Sequence, residues 1–144
     1  NYAAKMTKDL PGPVFELGLG NGRTYHHMRE IMSEREIFVF ELAVASNPDS
    51  TPEDNMLLLG DVLETLPAAL ARFGPTAGLI HADLGGHNLV KNDVFAQLIS
   101  PLVEPLIGPG GLMVSSDKMY FEALREIALP ADAVMVRCFI YQRI

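Results

Sequence analysis

The chain predicts an α/β fold: a three-layer α/β/α sandwich on a mostly parallel sheet of about six strands, with an antiparallel last strand. Three observations carry this. Short apolar runs alternate with stretches of helical periodicity. Polar residues gather just after the apolar runs, at the strand ends where such folds keep their sites. The final apolar run follows its predecessor after only a short connection, which suits an antiparallel partner. With 144 residues, 49% of them apolar, the chain suffices for one domain over 1–144 and its core.

Each element follows from local chemistry. The run PVFELG (13–18) is strand one, and a helix over about 22–33 follows, with Tyr25, Met28 and Met32 on one face and Ile31 beside them. EIFVFE is strand two and ends at Glu41; ASNPDSTPED then reads as loop, with at most a turn of helix. NMLLLG is strand three. A helix is expected to start near Thr65 as its cap, with Pro67 in its first turn and Leu66, Leu70 and Phe73 facing inward. AGLIHADL is strand four. A longer helix over about 91–100 buries Val94, Phe95 and Leu98, and Pro101 is expected to end or kink it. GPGG leads into strand five, LMVSS; YFEALREIA reads as a short helix; AVMVRCFIYQRI is the last strand. Helices between the first five strands imply right-handed parallel crossovers.

Bulk properties exclude several classes. The net charge of −7 argues against nucleic acid as a partner, since backbone binding needs clustered Lys and Arg. Cys138 stands alone, so no intramolecular disulfide forms; in its apolar run it reads as a small buried hydrophobe. No stretch is long and apolar enough to span a bilayer, no basic amphipathic segment suggests a membrane surface, and NYAAKMTKDL does not resemble a signal peptide. A cytoplasmic protein is expected. The chain opens on Asn1 rather than Met, which fits truncation at the N-terminus.

Chemistry concentrates at the strand ends. Glu16, Gly18, Gly20 and Gly22 close strand one, Glu41 strand two, Asp61 strand three, His81 and Asp83 strand four, Ser116 and Asp117 strand five. A dinucleotide fingerprint needs a third glycine three residues after the second, where this chain has Arg23. A phosphate loop needs Gly-Lys-Ser/Thr, and GNGRT has no lysine. A carboxylate two residues before the glycines repels pyrophosphate and suits a cationic ligand, such as an amino group or a sulfonium.

These residues resemble a known family. ELGLGNG matches the [DE]-x-G-x-G-x-G motif of class I S-adenosyl-L-methionine-dependent methyltransferases. FVFE, LLLGD, LIHADL and PGGLMV resemble that family's later motifs in the family's order, over about 14–116. The resemblance is nearest to a small single-domain bacterial group of unidentified substrate. It implies a Rossmann-like fold and S-adenosyl-L-methionine as cofactor. It implies that Gly18, Gly20 and Gly22 let the backbone pass the methionine part, with Glu16 holding its amino end. It implies that Glu41 takes the ribose hydroxyls and that Asp61, with Val62, addresses adenine. Asn21, Thr24, His81 and Ala82 join the cofactor set. Asp61 also reads as a simple helix cap.

For catalysis, Asp83 is the first candidate as base or substrate-orienting group and His87 the second, its ordinary pKa suiting proton transfer near neutrality. Each also has a structural reading. The Asn/Asp-Pro-Pro-Tyr/Phe motif of amino-directed enzymes is missing, and with the acidic charge this favours a small-molecule acceptor. Asp83 with Asp117 is similar to the acidic pair of metal-dependent O-methyltransferases, but Lys118 stands where that family has Asn, so no metal is assigned and a metal-dependent O-methyltransferase using Asp83 and Asp117 stays as the minor alternative. His26 and His27 are neighbours on a helix and point apart, although either could line the cofactor pocket. Two other readings compete: a binding module that keeps the pocket without catalysis, and a nucleotide-dependent oxidoreductase. Only about a dozen residues precede strand one, and only one strand follows strand five. That leaves the substrate side open, and a homo-oligomer contacting through the final strand could close it.

Overall fold

The strands are β1 (Val14–Leu17), β2 (Ile37–Glu41), β3 (Leu57–Leu59), β4 (Ala77–Ala82), β5 (Ile107–Ser115), β6 (Leu124–Ile127) and β7 (Phe139–Arg143). They form one seven-stranded sheet in the order β3-β2-β1-β4-β5-β7-β6. The computed structural model describes residues 2–18, 22–42, 52–84, 88–129 and 138–144. The first five strands are parallel, and β7 runs antiparallel to both β5 and β6. The mostly parallel sheet with an antiparallel last strand is as the sequence predicts.

Parallel strands covered on both faces are buried along their length, and β1 and most of β2 are, with Glu16 the one charged residue inside β1. Helices α1 (Tyr2–Thr7) and α2 (Arg23–Ile31) lie on one face, where Tyr25, Met28 and Met32 pack with Val14, Val39 and Leu79. Helices α3 (Val62–Phe73) and α4 (Leu89–Val103) cover the other, where Leu66, Ala69, Ile99 and Val103 pack with Phe15, Phe40 and Ile80. Among the described residues, a short 3₁₀ turn over Asp54–Met56 precedes β3.

The sequence expectations need five corrections. First, YFEALREIA is not a helix: Leu124–Ile127 is edge strand β6. Ala, Leu, Glu and Arg favour helix intrinsically, but pairing with β7 and burial of Leu124 decide the segment. Among the described residues two strands therefore follow β5, and the final strand is paired on both sides, so it offers no free edge to a second copy.

Second, α3 starts at Val62, capped by Asp61, whose carboxylate accepts from the Leu63 N–H at 2.9 Å. Pro67 thus falls in the second turn, and Leu70 is exposed. Thr65 caps nothing; its hydroxyl is buried without a partner among the described residues.

Third, α4 turns a different face to the core. Val94 and Leu98 are each 54% exposed, Phe95 is half-buried, and Ala96, Ile99, Ser100 and Val103 are buried. The helix carries two apolar rows, so periodicity alone does not choose between them. The small residues Ala96 and Ser100 allow the closer approach to the sheet, and Ser100 Oγ donates to Ala96 O (2.6 Å) while accepting from the Tyr120 N–H (2.9 Å). Fourth, Pro101 does not end the helix, which runs to Val103 with the proline on its exposed side. Fifth, Ile31 is exposed rather than part of the buried face of α2.

The residues before β1 also do more than lead in. Arg35 donates to the carbonyls of Thr7 and Gly12, at 2.8 Å each, and ties α1 to the start of β1. Among the described residues no helix is long and apolar enough to cross a membrane.

The assignment of the α4 faces is open to test by urea unfolding. Ile99→Ala is expected to cost about 2–5 kcal/mol, and Leu98→Ala within about 0.5 kcal/mol of zero. Equal losses at both positions would contradict the assignment.

Candidate cofactor and active site

The end of β1 is pressed against the end of β4. Gly18 N–H donates to Phe40 O at 2.8 Å, and Asp83 N–H reaches Leu17 O at 3.3 Å. Gly18 has φ 91°, and a Cβ there would stand 3.0 Å from Leu84 Cδ2 and 3.1 Å from the Asp83 carbonyl. Only glycine meets both the left-handed backbone and the space. Gly22, with φ 87°, opens α2, and no side chain caps the helix there. Thr24 is exposed in its first turn. Gly20 and Asn21 lie outside the described residues, as does His87.

One strand over, a cleft of about 240 Å³ is lined by Phe40, Glu41, Leu42, Gly60, Asp61, Val62, Leu84 and Phe95. The ends of β2 and β3 and the start of α3 thus bring Glu41, Asp61 and Val62 together. Glu41 is half-buried and accepts from the Leu42 N–H at 2.8 Å. Asp61 serves as the cap of α3, as its simpler reading had it, and it also lines the cleft. Leu84 and Phe95 complete the apolar wall; sequence reasoning missed their part, although Leu84 directly follows Asp83 in the strand-four motif.

Glu16 and His81 are register partners on neighbouring parallel strands. His81 Nδ1 stands 2.9 and 3.0 Å from the two oxygens of the Glu16 carboxylate. A carboxylate only accepts, so Nδ1 carries the proton. The Glu16 side chain is 2% exposed and that of His81 25%. Burial pushes the Glu16 pKa up, and His81 only partly offsets this. For His81, burial works downward, but the hydrogen bond and charge of Glu16, helped by Asp83, leave the pKa raised above its ordinary value.

Asp83 is exposed past the end of β4, and its Oδ1 accepts from Ser116 Oγ at 3.0 Å. That bond joins the rims of β4 and β5, and sequence reasoning had not paired the two residues. Ala82 is buried beside them. Ser115 Oγ accepts from the Asp117 N–H at 3.1 Å. Among the described residues no group of three or more His, Cys, Asp or Glu is placed to hold a metal ion. His26 pairs with Glu30 on the exposed side of α2 (3.3 Å), and neither His26 nor His27 lines the cleft.

Residues 1–143 match the family described as S-adenosyl-L-methionine methyltransferase, and the chain belongs to that family. It is 66% identical to an S-adenosyl-L-methionine methyltransferase from Silicibacter pomeroyi DSS-3, over 99% of this chain and 87% of that one, with a TM-score of 0.95. The protein is thus a methyltransferase with the Rossmann-like fold, and S-adenosyl-L-methionine is its cofactor. The antibiotic-resistance methyltransferase Kmr shares the fold at 11% identity and TM-score 0.61, over 97% of this chain and 90% of that one. A 16S rRNA (adenine(1408)-N(1))-methyltransferase from Catenulisporales acidiphilia shares it at 14% identity and TM-score 0.54, over 99% and 88%. No curated protein matches the chain.

That last structural likeness overturns the exclusion of nucleic acid. A fold shared with an rRNA methyltransferase does not exclude such a partner, and net charge sums a whole surface where binding needs only a local patch. The acceptor of the methyl group is not identified by these likenesses.

Glu16 and His81 both hold their protons more tightly folded than unfolded. Their contribution to stability is therefore full below the unfolded values and is lost as pH rises through the raised folded ones. Stability from urea midpoints is expected to fall as pH rises past the ordinary imidazole range, and His81→Gln to flatten that slope. An unchanged slope in the variant would mean that His81 does not carry the effect.

Proposed function

We propose that the rim cleft receives the adenosyl part of S-adenosyl-L-methionine and that methyl transfer takes place beside the ends of β4 and β5. The observation that carries this reading is the cleft itself, which gathers Glu41, Asp61 and Val62 one strand from the glycine turn. The residues fit the group. Glu41 offers two acceptor oxygens on one rigid plane, which suits a pair of ribose hydroxyls. Phe40, Val62, Leu84 and Phe95 give adenine apolar contacts, with Asp61 at the edge. Gly18 has no side chain to block the backbone from the remainder of the cofactor, and Gly22 leaves the first turn of α2 open to it.

When bound, the cofactor supplies a methyl group on a sulfonium, already electrophilic. What the chain must add is alignment and a place for the acceptor's proton. Asp83, steadied by Ser116, is the carboxylate that orients or deprotonates the acceptor. His87, outside the described residues, is the second candidate for that proton. Thr24, in the first turn of α2, and Ala82, at the end of β4, stay in the proposed cofactor set, as does Asn21, which lies outside the described residues.

Calorimetry with S-adenosylhomocysteine tests the cleft. Glu41→Ala is expected to weaken binding about 10-fold or more, and NAD should not bind; binding of NAD alone would overturn the reading. Asp61 separates its two roles by substitution. Asp61→Ala is expected to lose about 1 kcal/mol of stability, while Asp61→Asn keeps the cap and still loses cofactor affinity. Asp83→Asn is expected to bind the cofactor product normally and to slow turnover about 100-fold or more. Loss of binding in a folded Asp83→Asn chain would assign that residue to the cofactor instead.

A further inference from the structure

The sequence motif places Glu16 against the amino end of the cofactor, but the geometry does not leave it available. The carboxylate is almost wholly buried, and both of its oxygens face His81 Nδ1. The imidazole is the partner with an open edge. It is one-quarter exposed, and among the described residues nothing hydrogen-bonds its Nε2.

The position of that edge follows from the sheet order. Asp61 stands at the end of β3, Glu41 at the end of β2, the glycine turn at the end of β1, and His81 on β4, the next strand along the rim. Each step is about 5 Å. A cofactor laid with adenine at Asp61 and ribose at Glu41 runs over Gly18 and brings its amino-acid end to β4. His81 lies two residues before Asp83, whose carbonyl packs against Gly18.

We infer that His81, oriented by Glu16, binds the carboxylate of the cofactor's amino-acid end through Nε2–H and so selects cofactors that keep that carboxylate. Glu16 is then a positioning residue that fixes the ring and its charge. The charged groups acting on the ring are Glu16 from β1 and Asp83 just past the end of β4. Helix α2 packs Tyr25 and Met28 on the same face. An imidazolium held at Nδ1 by a carboxylate presents one N–H, which matches an anion and repels a cation. The uncapped first turn of α2 adds a field of the same sign. This inference rests on the cofactor placement proposed above.

Three ligands test it by calorimetry: S-adenosylhomocysteine, its decarboxylated analogue and 5′-methylthioadenosine. His81→Leu is expected to weaken S-adenosylhomocysteine about 10- to 100-fold and the other two less than about 2-fold. His81→Gln, which keeps an N–H near the Nε2 position, is expected to restore part of the loss. Glu16→Gln is expected to move the loss of S-adenosylhomocysteine binding to lower pH, because the ring then gives up its proton sooner. If His81→Leu does not fold, the wild-type chain still decides: ¹⁵N spectra should show the His81 Nε2 resonance shifting with S-adenosylhomocysteine but not with the decarboxylated analogue. Equal weakening of all three ligands in the variant, or equal shifts in the spectra, overturns the role of His81 and leaves the cleft standing. Failure of all three to bind the wild-type chain overturns the cleft as well.

Discussion

A carboxylate sealed inside an apolar sheet is costly unless a partner satisfies it, and Glu16 has one, the imidazole of His81. The pairing depends on strand register. Glu16 and His81 stand opposite each other on β1 and β4, on the face that also carries Val14, Val39 and Leu79. A slip of one residue would turn the two groups to opposite faces and leave a buried charge alone. The pair adds little net stability of the kind apolar packing provides. It penalises the wrong register, and register is what brings the end of β4 against the glycine turn.

With that contact fixed, the rim is read along the sheet. The order β3-β2-β1-β4 converts four separated sequence motifs into one row: an acidic helix cap, an acidic strand end, a glycine turn and an imidazole. No motif needs a long side chain to reach its neighbour, because adjacent strands set the spacing. The helices divide the labour. On one face α3 and α4 contribute Val62 and Phe95 to the cleft, while on the other α2 starts from the glycine turn itself. Asp83 and Ser116 then bind the next two strand ends together.

The readable parts of the sequence were those whose signal is local. Strands one to five are apolar runs, and a run needs no partner to be recognised. The glycine motif is local too, since Gly18 needs its left-handed backbone whatever surrounds it. The errors came where two local readings were equally good. Both apolar rows of α4 could have been the buried one, and small size at Ala96 and Ser100 decided between them. LREI has helix-forming residues and became a strand because β7 had an unpaired edge beside it. The partnership of Glu16 with His81 spans 65 residues and leaves no trace in spacing. Net charge misled for another reason: it is a sum over the surface, and recognition is local.

The sequence by itself determined the α/β class, the succession of parallel strands, the glycine turn and the acidic residues at the strand ends, because each rests on the composition of a few consecutive residues. Tertiary structure alone decided which face of α4 is buried, that β6 and β7 pair antiparallel among the described residues, and that Glu16 is buried against His81. Those outcomes depend on which surfaces meet and how closely they can approach, and that is a property of the packed sheet and not of any segment within it.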